Sequence, residues 1–216
     1  MKDLQLRQEI IATAGKFNQT GLSVGTSGNL SVQTDSHILI TPSGMPYQDL
    51  TPEDIVELDR DGRVVSGSRK PSSEWRFHRD IYLQRPAVNA VVHVHSPYAT
   101  AVACTRRDIP AFHYMIAAVG GDSIRCAEYA TFGTEALSNN AVTALAGRHA
   151  CLLANHGMIA TGADLRSAIE MAQLVEELAR QYYLSCRMGD PVILDTEEMR
   201  INLEKFRSYG KQDDTP

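Results

Sequence analysis

The run Val88-Asn89-Ala90-Val91-Val92-His93-Val94-His95 limits the fold of this chain more than any other segment. It reads as a strongly apolar strand, after which Pro97 starts a helix reaching to Arg106. Side chains alternate faces along a strand, so His93 and His95 share one face while Val92 and Val94 take the other. The two imidazoles then stand roughly 7 Å apart along the strand and can converge on one ion. A hydrogen-bonded pair of core histidines is the other reading. Two unpaired polar rings in an apolar strand cost roughly 2–7 kcal/mol each, and a single metal ion accounts for both rings together. Neutral imidazole nitrogen is a favoured zinc ligand at ~2.0–2.1 Å.

Two further residues add to this pair. His156 follows the buried run Ala150–Ala154 and precedes Gly157, where a strand end can present a third imidazole. Glu74 lies just after Ser72-Ser73 at the expected start of a helix, a place where the helix dipole favours a carboxylate. Three histidines plus a carboxylate or water fill a catalytic zinc site with one exchangeable position. Glu74 and His78, four apart, share a helix face, and His78 is read as structural or salt-bridging. His37, His113 and His149 have no ligand-like spacing and are expected at surface or turn positions. No HExxH occurs, so a zincin-type protease has no support.

Composition narrows the function class. A net charge of −5 over 216 residues argues against a nucleic-acid partner, which needs clustered Lys and Arg. The long uncharged stretch Ala87 to Thr105 contains Asn89, two histidines and Pro97 and does not suit a membrane. The N-terminal residues are charged throughout and lack the apolar stretch of a signal peptide. The four cysteines form no CxxC pair and suit reduced thiols. These features predict a soluble, cytoplasmic protein. With no composition shift or internal repeat, the chain is expected to be a single domain over residues 1–216.

The pattern elsewhere predicts a first helix carrying Leu6, Ile10, Ala14 and Phe17 and stopped at Gly21. A turn at Gly25–Asn29 leads into Leu30-Ser31-Val32, and His37–Thr41 forms the next strand. Asp61-Gly62 makes a hairpin between Val56–Leu58 and Arg63–Val65. Pro71-Ser72-Ser73-Glu74 is expected to open a helix to about Arg85. Met158–Ala160 follows the strand at Ala150–Ala154, Leu165 to about Arg187 forms the longest helix, and a last helix spans Thr196–Phe206. Strands and helices alternate without a βαβ rhythm. The expected class is therefore α/β in the α+β sense, with a mostly antiparallel or mixed central sheet flanked by helices.

Three segments rich in Gly, Ser, Thr and Asn sit at turns or helix starts: Gly25–Asn29, Thr41–Gly44 and Ser72-Ser73. Such positions expose backbone N–H groups that fit a phosphate. No Walker loop or strand-linked GxGxxG occurs, which argues against nucleotide binding.

Taken together, Gly25–Asn29, Thr41–Gly44, Pro71–His78, His93–His95, His113–Ala118, Tyr129–Thr134 and His156-Gly157 resemble the class II aldolase/adducin-head family over nearly the whole chain. The resemblance implies zinc held by His93, His95 and His156, with Glu74 as a further ligand in the resting state. It implies phosphate binding by Gly28, Asn29, Ser43, Gly44, Ser72 and Ser73, with Thr26 nearby. Phe132, Phe206 and Tyr209 would line the aldehyde side. Tyr114 would be an acid/base supplied by the adjacent subunit of a four-fold homotetramer whose sites lie between subunits. Asn155 stands where one member of that family has a second His before the ligand, and is expected to lie outside the ligand set.

The implied reaction is zinc-dependent retro-aldol cleavage of a small ketose 1-phosphate. An L-fuculose 1-phosphate-like substrate would give dihydroxyacetone phosphate and lactaldehyde. The alternative within the family is 5-deoxyribulose or 5-methylthioribulose 1-phosphate. A pentulose-5-phosphate 4-epimerase is disfavoured because its counterpart of Pro71–Glu74 carries Asp where this chain has Glu74. A non-catalytic assembly domain is disfavoured by the zinc histidines.

Overall fold

The fold is described from a computed structural model over residues 1–209. Eight strands form one sheet: β1 (Asn29–Gln33), β2 (Ile38–Ile40), β3 (Val56–Leu58), β4 (Val64–Ser66), β5 (Ala90–Val94), β6 (Cys126–Ala127), β7 (Ala150–Leu153) and β8 (Gly157–Gly162). Their order is β4-β3-β2-β1-β5-β8-β7-β6. Every pairing is antiparallel except β6 with β7, so the sheet is mixed, as expected.

The apolar run that opens the argument occupies the middle of this sheet. β5 pairs with β1 on one side and β8 on the other, and all five of its residues are buried. Helices cover both faces. Ala90, Val92 and Val94 join a core with Ile10 and Phe17 of α1 (Leu4–Gln19), Val102 of α3 (Pro97–Ala103) and Val175 and Leu178 of α5 (Leu165–Met188). Val91 packs on the opposite face with Phe77 and Ile81 of α2 (Trp75–Gln84) and Leu137 and Ala141 of α4 (Glu135–Ala144). Each fully buried Val, Leu, Ile or Phe of this kind contributes roughly 1.5–3 kcal/mol. α6 (Thr196–Phe206), capped by Asp195, packs against a 3-10 helix at Tyr114–Val119. Among the described residues no helix is long and apolar enough to cross a membrane.

Three local readings are corrected, and two elements were not foreseen. The helix expected from Pro71 begins at Trp75, with Glu74 at its N-cap position and Ser72 Oγ accepting from the Glu74 N–H at 3.3 Å. The helix from Pro97 ends at Ala103 rather than Arg106. α4 and the two-residue β6 were not legible, because α4 buries mostly small residues (Ser138, Ala141, Ala144) beside a single Leu. His37 is buried rather than exposed, between Asp3 Oδ2 at 2.9 Å and Glu57 Oε1 at 3.6 Å.

Candidate active site

His93 and His95 project from β5 toward α2, the face also taken by Val91. β7 and β8 are joined by Ala154-Asn155-His156, and this corner brings a third ring beside them. The three rings lie 4.8–4.9 Å apart between centroids, and one nitrogen from each falls within 4.8 Å of the others. Gly157 makes the approach possible. A Cβ there would stand 2.5 Å from the Val94 carbonyl oxygen and 2.7 Å from His95 Cδ2. Only glycine lets β8 pass this close to the histidine strand.

Glu74 completes the group from the start of α2. Its Oε2 lies 3.2 Å from His93 Nε2 and its Oε1 3.3 Å from His156 Nε2. Burial pushes the carboxyl toward its neutral form, but His93, His156 and a hydrogen bond from Asn29 outweigh it and hold the group near 2. Burial also lowers His95 and His156 to about 4, so both rings are neutral near pH 7.

The donor set fits a divalent metal. His93 Nδ1–H donates to the Met158 carbonyl at 2.8 Å, which leaves its Nε2 lone pair facing His95 Nε2 at 2.9 Å. Glu74 Oε1 is buried without a hydrogen-bond partner. An ion between these groups satisfies the converging lone pairs and that oxygen together, and three nitrogens with one carboxylate suit a tetrahedral centre.

A cleft of about 410 Å³ opens over this group. Its floor holds Glu74, His95 and His156, with His93 fully buried behind them. One wall consists of Thr26, Gly28, Asn29, Ser43, Gly44, Ser72 and Ser73, so the three Gly/Ser-rich segments that lie far apart in sequence meet here. The Asn29 side chain is turned away from open space. Its Nδ2 donates to Glu74 Oε2 at 3.0 Å and its Oδ1 accepts from His78 Nε2 at 2.6 Å. His78 therefore reaches Glu74 through Asn29 and not through a direct salt bridge. The opposite wall is aromatic, with Tyr129 and Phe132 exposed on a loop that closes onto Ser73 at Gly133.

Tyr114, Phe206 and Tyr209 do not line the cleft. They form a separate aromatic group, Tyr114 stacked on Phe206 at 6.3 Å and Phe206 against Tyr209 at 5.4 Å between centroids. Asn155 does reach the cleft wall, with a left-handed backbone and a hydrogen bond from Arg106. Arg106 and Tyr129, which no sequence signal singled out, meet at this corner: Arg106 hydrogen-bonds Asn155 and lies over the Tyr129 ring at 5.6 Å.

Residues 8–183 match the family described as Class II Aldolase and Adducin N-terminal domain. The chain is 53% identical over 213 residues to 5-methylthioribulose-1-phosphate/5-deoxyribulose-1-phosphate aldolase of Rhodospirillum rubrum, covering 99% of this chain and 96% of that protein. It is 48% identical to L-fuculose phosphate aldolase of Escherichia coli K12, covering 97% and 98%. Among solved structures, an L-fuculose 1-phosphate aldolase superposes with a TM-score of 0.91 at 44% identity, covering 96% of this chain and 97% of that one. The chain belongs to the class II aldolase and adducin N-terminal family, as an aldolase.

Proposed function

We propose that this protein cleaves a small ketose 1-phosphate into dihydroxyacetone phosphate and a short aldehyde. The observation that carries the reading is the meeting, in one cleft, of a three-histidine and carboxylate group with a wall of backbone and hydroxyl donors. His93, His95 and His156 would hold a divalent ion, read here as zinc, with Glu74 as a fourth ligand before substrate arrives. When bound, the ion supplies Lewis-acid polarisation of the ketose oxygens and stabilisation of developing negative charge.

The remaining work falls to the chain's own groups. Gly28, Ser43, Gly44, Ser72 and Ser73, with Thr26 at the rim, bind and orient the phosphate half, to which Asn29 can offer only its main chain because its amide is engaged by Glu74 and His78. Cleavage moves one proton from the C4 hydroxyl to C3. As the C3–C4 bond breaks, the Tyr114 oxygen takes the hydroxyl proton as base and Glu74, protonated from solvent once substrate displaces it, gives one to C3, solvent then carrying the Tyr114 proton away. A carboxylate held well below its ordinary range is ionised near neutral pH, so it serves as the base in the reverse, condensing direction. In a single chain Tyr114 is half-exposed and outside the cleft. That supports a homotetramer with sites between subunits, in which Tyr114, Phe206 and Tyr209 complete a neighbour's cleft.

The aldehyde half has two readings. An L-fuculose 1-phosphate-like substrate gives lactaldehyde. The 5-deoxy or 5-methylthio pentulose reading is favoured by one specific observation, the 53% identity to the Rhodospirillum rubrum enzyme. The ratio of kcat/KM between L-fuculose 1-phosphate and 5-methylthioribulose 1-phosphate tests the choice. A preference of ~10-fold or more either way identifies the aldehyde half, and release of dihydroxyacetone phosphate from neither contradicts the function.

A further inference from the structure

Behind Glu74, five buried side chains join in one line that crosses repeatedly between α2 and β1. Tyr82 Oη lies 2.7 Å from Ser31 Oγ, Ser31 Oγ lies 2.7 Å from His78 Nδ1, His78 Nε2 lies 2.6 Å from Asn29 Oδ1, and Asn29 Nδ2 lies 3.0 Å from Glu74 Oε2. The spacing explains how they meet. Glu74, His78 and Tyr82 recur every four residues along one face of α2 and its N-cap, a step of roughly 6 Å. Asn29 and Ser31 recur every two residues on one face of β1, a step of roughly 6.6 Å. The two periods match closely enough for helix and strand side chains to interleave. All five residues are buried, His78 and Ser31 completely.

The line has one direction, set by its last member. A carboxylate only accepts, so Asn29 must turn its NH2 group toward Glu74 and its oxygen toward His78. His78 must then carry its proton on Nε2 and accept at Nδ1. Ser31 donates to that Nδ1 and in turn accepts from the Tyr82 hydroxyl. Reversing any member places an oxygen lone pair against another lone pair in a dry interior, which costs about 1–3 kcal/mol.

We propose that Tyr82, Ser31 and His78 form a positioning relay that fixes the Asn29 amide, and through it the Glu74 carboxylate, so that Oε2 remains an acceptor from Asn29 while Oε1 is the oxygen that carries the C3 proton. Oε1 is the buried carboxylate oxygen that has no hydrogen-bond partner. The relay rests on the reading of Glu74 as the proton carrier. It adds which oxygen acts and why the carboxylate keeps its aim when substrate displaces it from the metal.

The test combines tautomer and kinetics. ¹⁵N-resolved NMR of the imidazoles in wild-type protein is expected to show His78 protonated on Nε2 with an acceptor Nδ1. Ser31→Ala removes the donor that enforces this tautomer. It is expected to lower C3 proton exchange of dihydroxyacetone phosphate ~10–100-fold, the scale found for groups that orient ligands from behind. Metal content and the KM for dihydroxyacetone phosphate should stay within about twofold, and the Nε2–H signature of His78 should weaken. Ser31→Thr, which keeps the hydroxyl, should restore exchange. The relay is overturned by a wild-type His78 protonated on Nδ1, by near-normal exchange in Ser31→Ala, or by a fall in exchange that merely follows lost metal or raised KM. If Ser31→Ala does not fold, the wild-type tautomer still decides, and Tyr82→Phe supplies a second variant one step further along the line. Glu74→Gln serves as the control. Normal exchange in Glu74→Gln contradicts the proton-carrier reading itself, whereas slow exchange there with no effect in Ser31→Ala contradicts the relay alone.

Discussion

Arg106 and Asn155, 49 residues apart, both hold left-handed backbones (φ 56° and 53°), and Arg106 Nε donates to Asn155 Oδ1 at 2.7 Å. Asn155 immediately precedes His156, and its own N–H donates to the Ala103 carbonyl at 3.1 Å. The corner that aims the third imidazole is therefore tied at both its backbone and its side chain to the end of α3.

Asn tolerates the left-handed region, Gly adopts it freely, and a β-branched residue does neither. Asn155→Val should cost about 1–2 kcal/mol, lowering Tm by roughly 2–8 °C for a chain of this size, and should weaken metal binding. Asn155→Gly should bind metal far better than Asn155→Val. Thermal melts and metal titrations on the two variants check this, and equal metal affinity would show that the corner does not aim His156.

Gly157 offers a second test of the same geometry. Gly157→Ala drives a Cβ toward the Val94 carbonyl and the His95 ring, where only backbone displacement gives relief. Overpacking of this kind costs typically about 1–3 kcal/mol. The variant should lose metal as fully as His156→Ala, although it removes no ligand, and elemental analysis of both proteins checks the outcome. Full metal occupancy in His156→Ala would remove that residue from the ligand set.

Glu74→Gln keeps the side chain's shape and deletes the group that carries a proton. Phosphate affinity and most of the metal should remain. C3 proton exchange in dihydroxyacetone phosphate should fall by ~10² or more, the usual scale for a general acid or base. Exchange measured by deuterium incorporation tests this directly.

Tyr114→Phe should cripple C3–C4 cleavage while leaving C3 exchange comparatively intact, because exchange does not involve the oxygen at C4. If Tyr114 serves a neighbour's cleft, mixed oligomers of Tyr114→Phe and Glu74→Gln subunits regain cleavage. Some interfaces then pair an intact Glu74 with an intact Tyr114. No recovery in verified mixed oligomers would mean that Tyr114 acts within its own chain.

Much of this site was legible because its signals are local. His93 and His95 announce themselves by period-two spacing in an apolar strand, and His156-Gly157 by a ring and a small residue at a strand end. The Gly/Ser segments were readable as turns rich in donors, and what the sequence alone could not supply was their convergence on one cleft, which depends on β1 lying beside β5. The role of His78 was obscured for a related reason. Its natural partner by helical spacing is Glu74, but the strand residue Asn29 intervenes, and only the β1–α2 interleaving reveals that. α4 escaped notice because small buried residues give little amphipathic contrast, and His37 because a histidine without ligand spacing gives no hint of its burial beside Asp3 and Glu57.

The central claim is that the histidine group and the phosphate wall together make a metal-dependent aldolase. The most direct measurement is release of dihydroxyacetone phosphate from L-fuculose 1-phosphate and 5-methylthioribulose 1-phosphate by metal-free protein, before and after reconstitution with one equivalent of zinc. Metal-free protein should release none above background, and zinc should restore cleavage of at least one substrate together with C3 proton exchange. Cleavage that persists undiminished in the metal-free protein, or no cleavage of either substrate after reconstitution, would contradict the account.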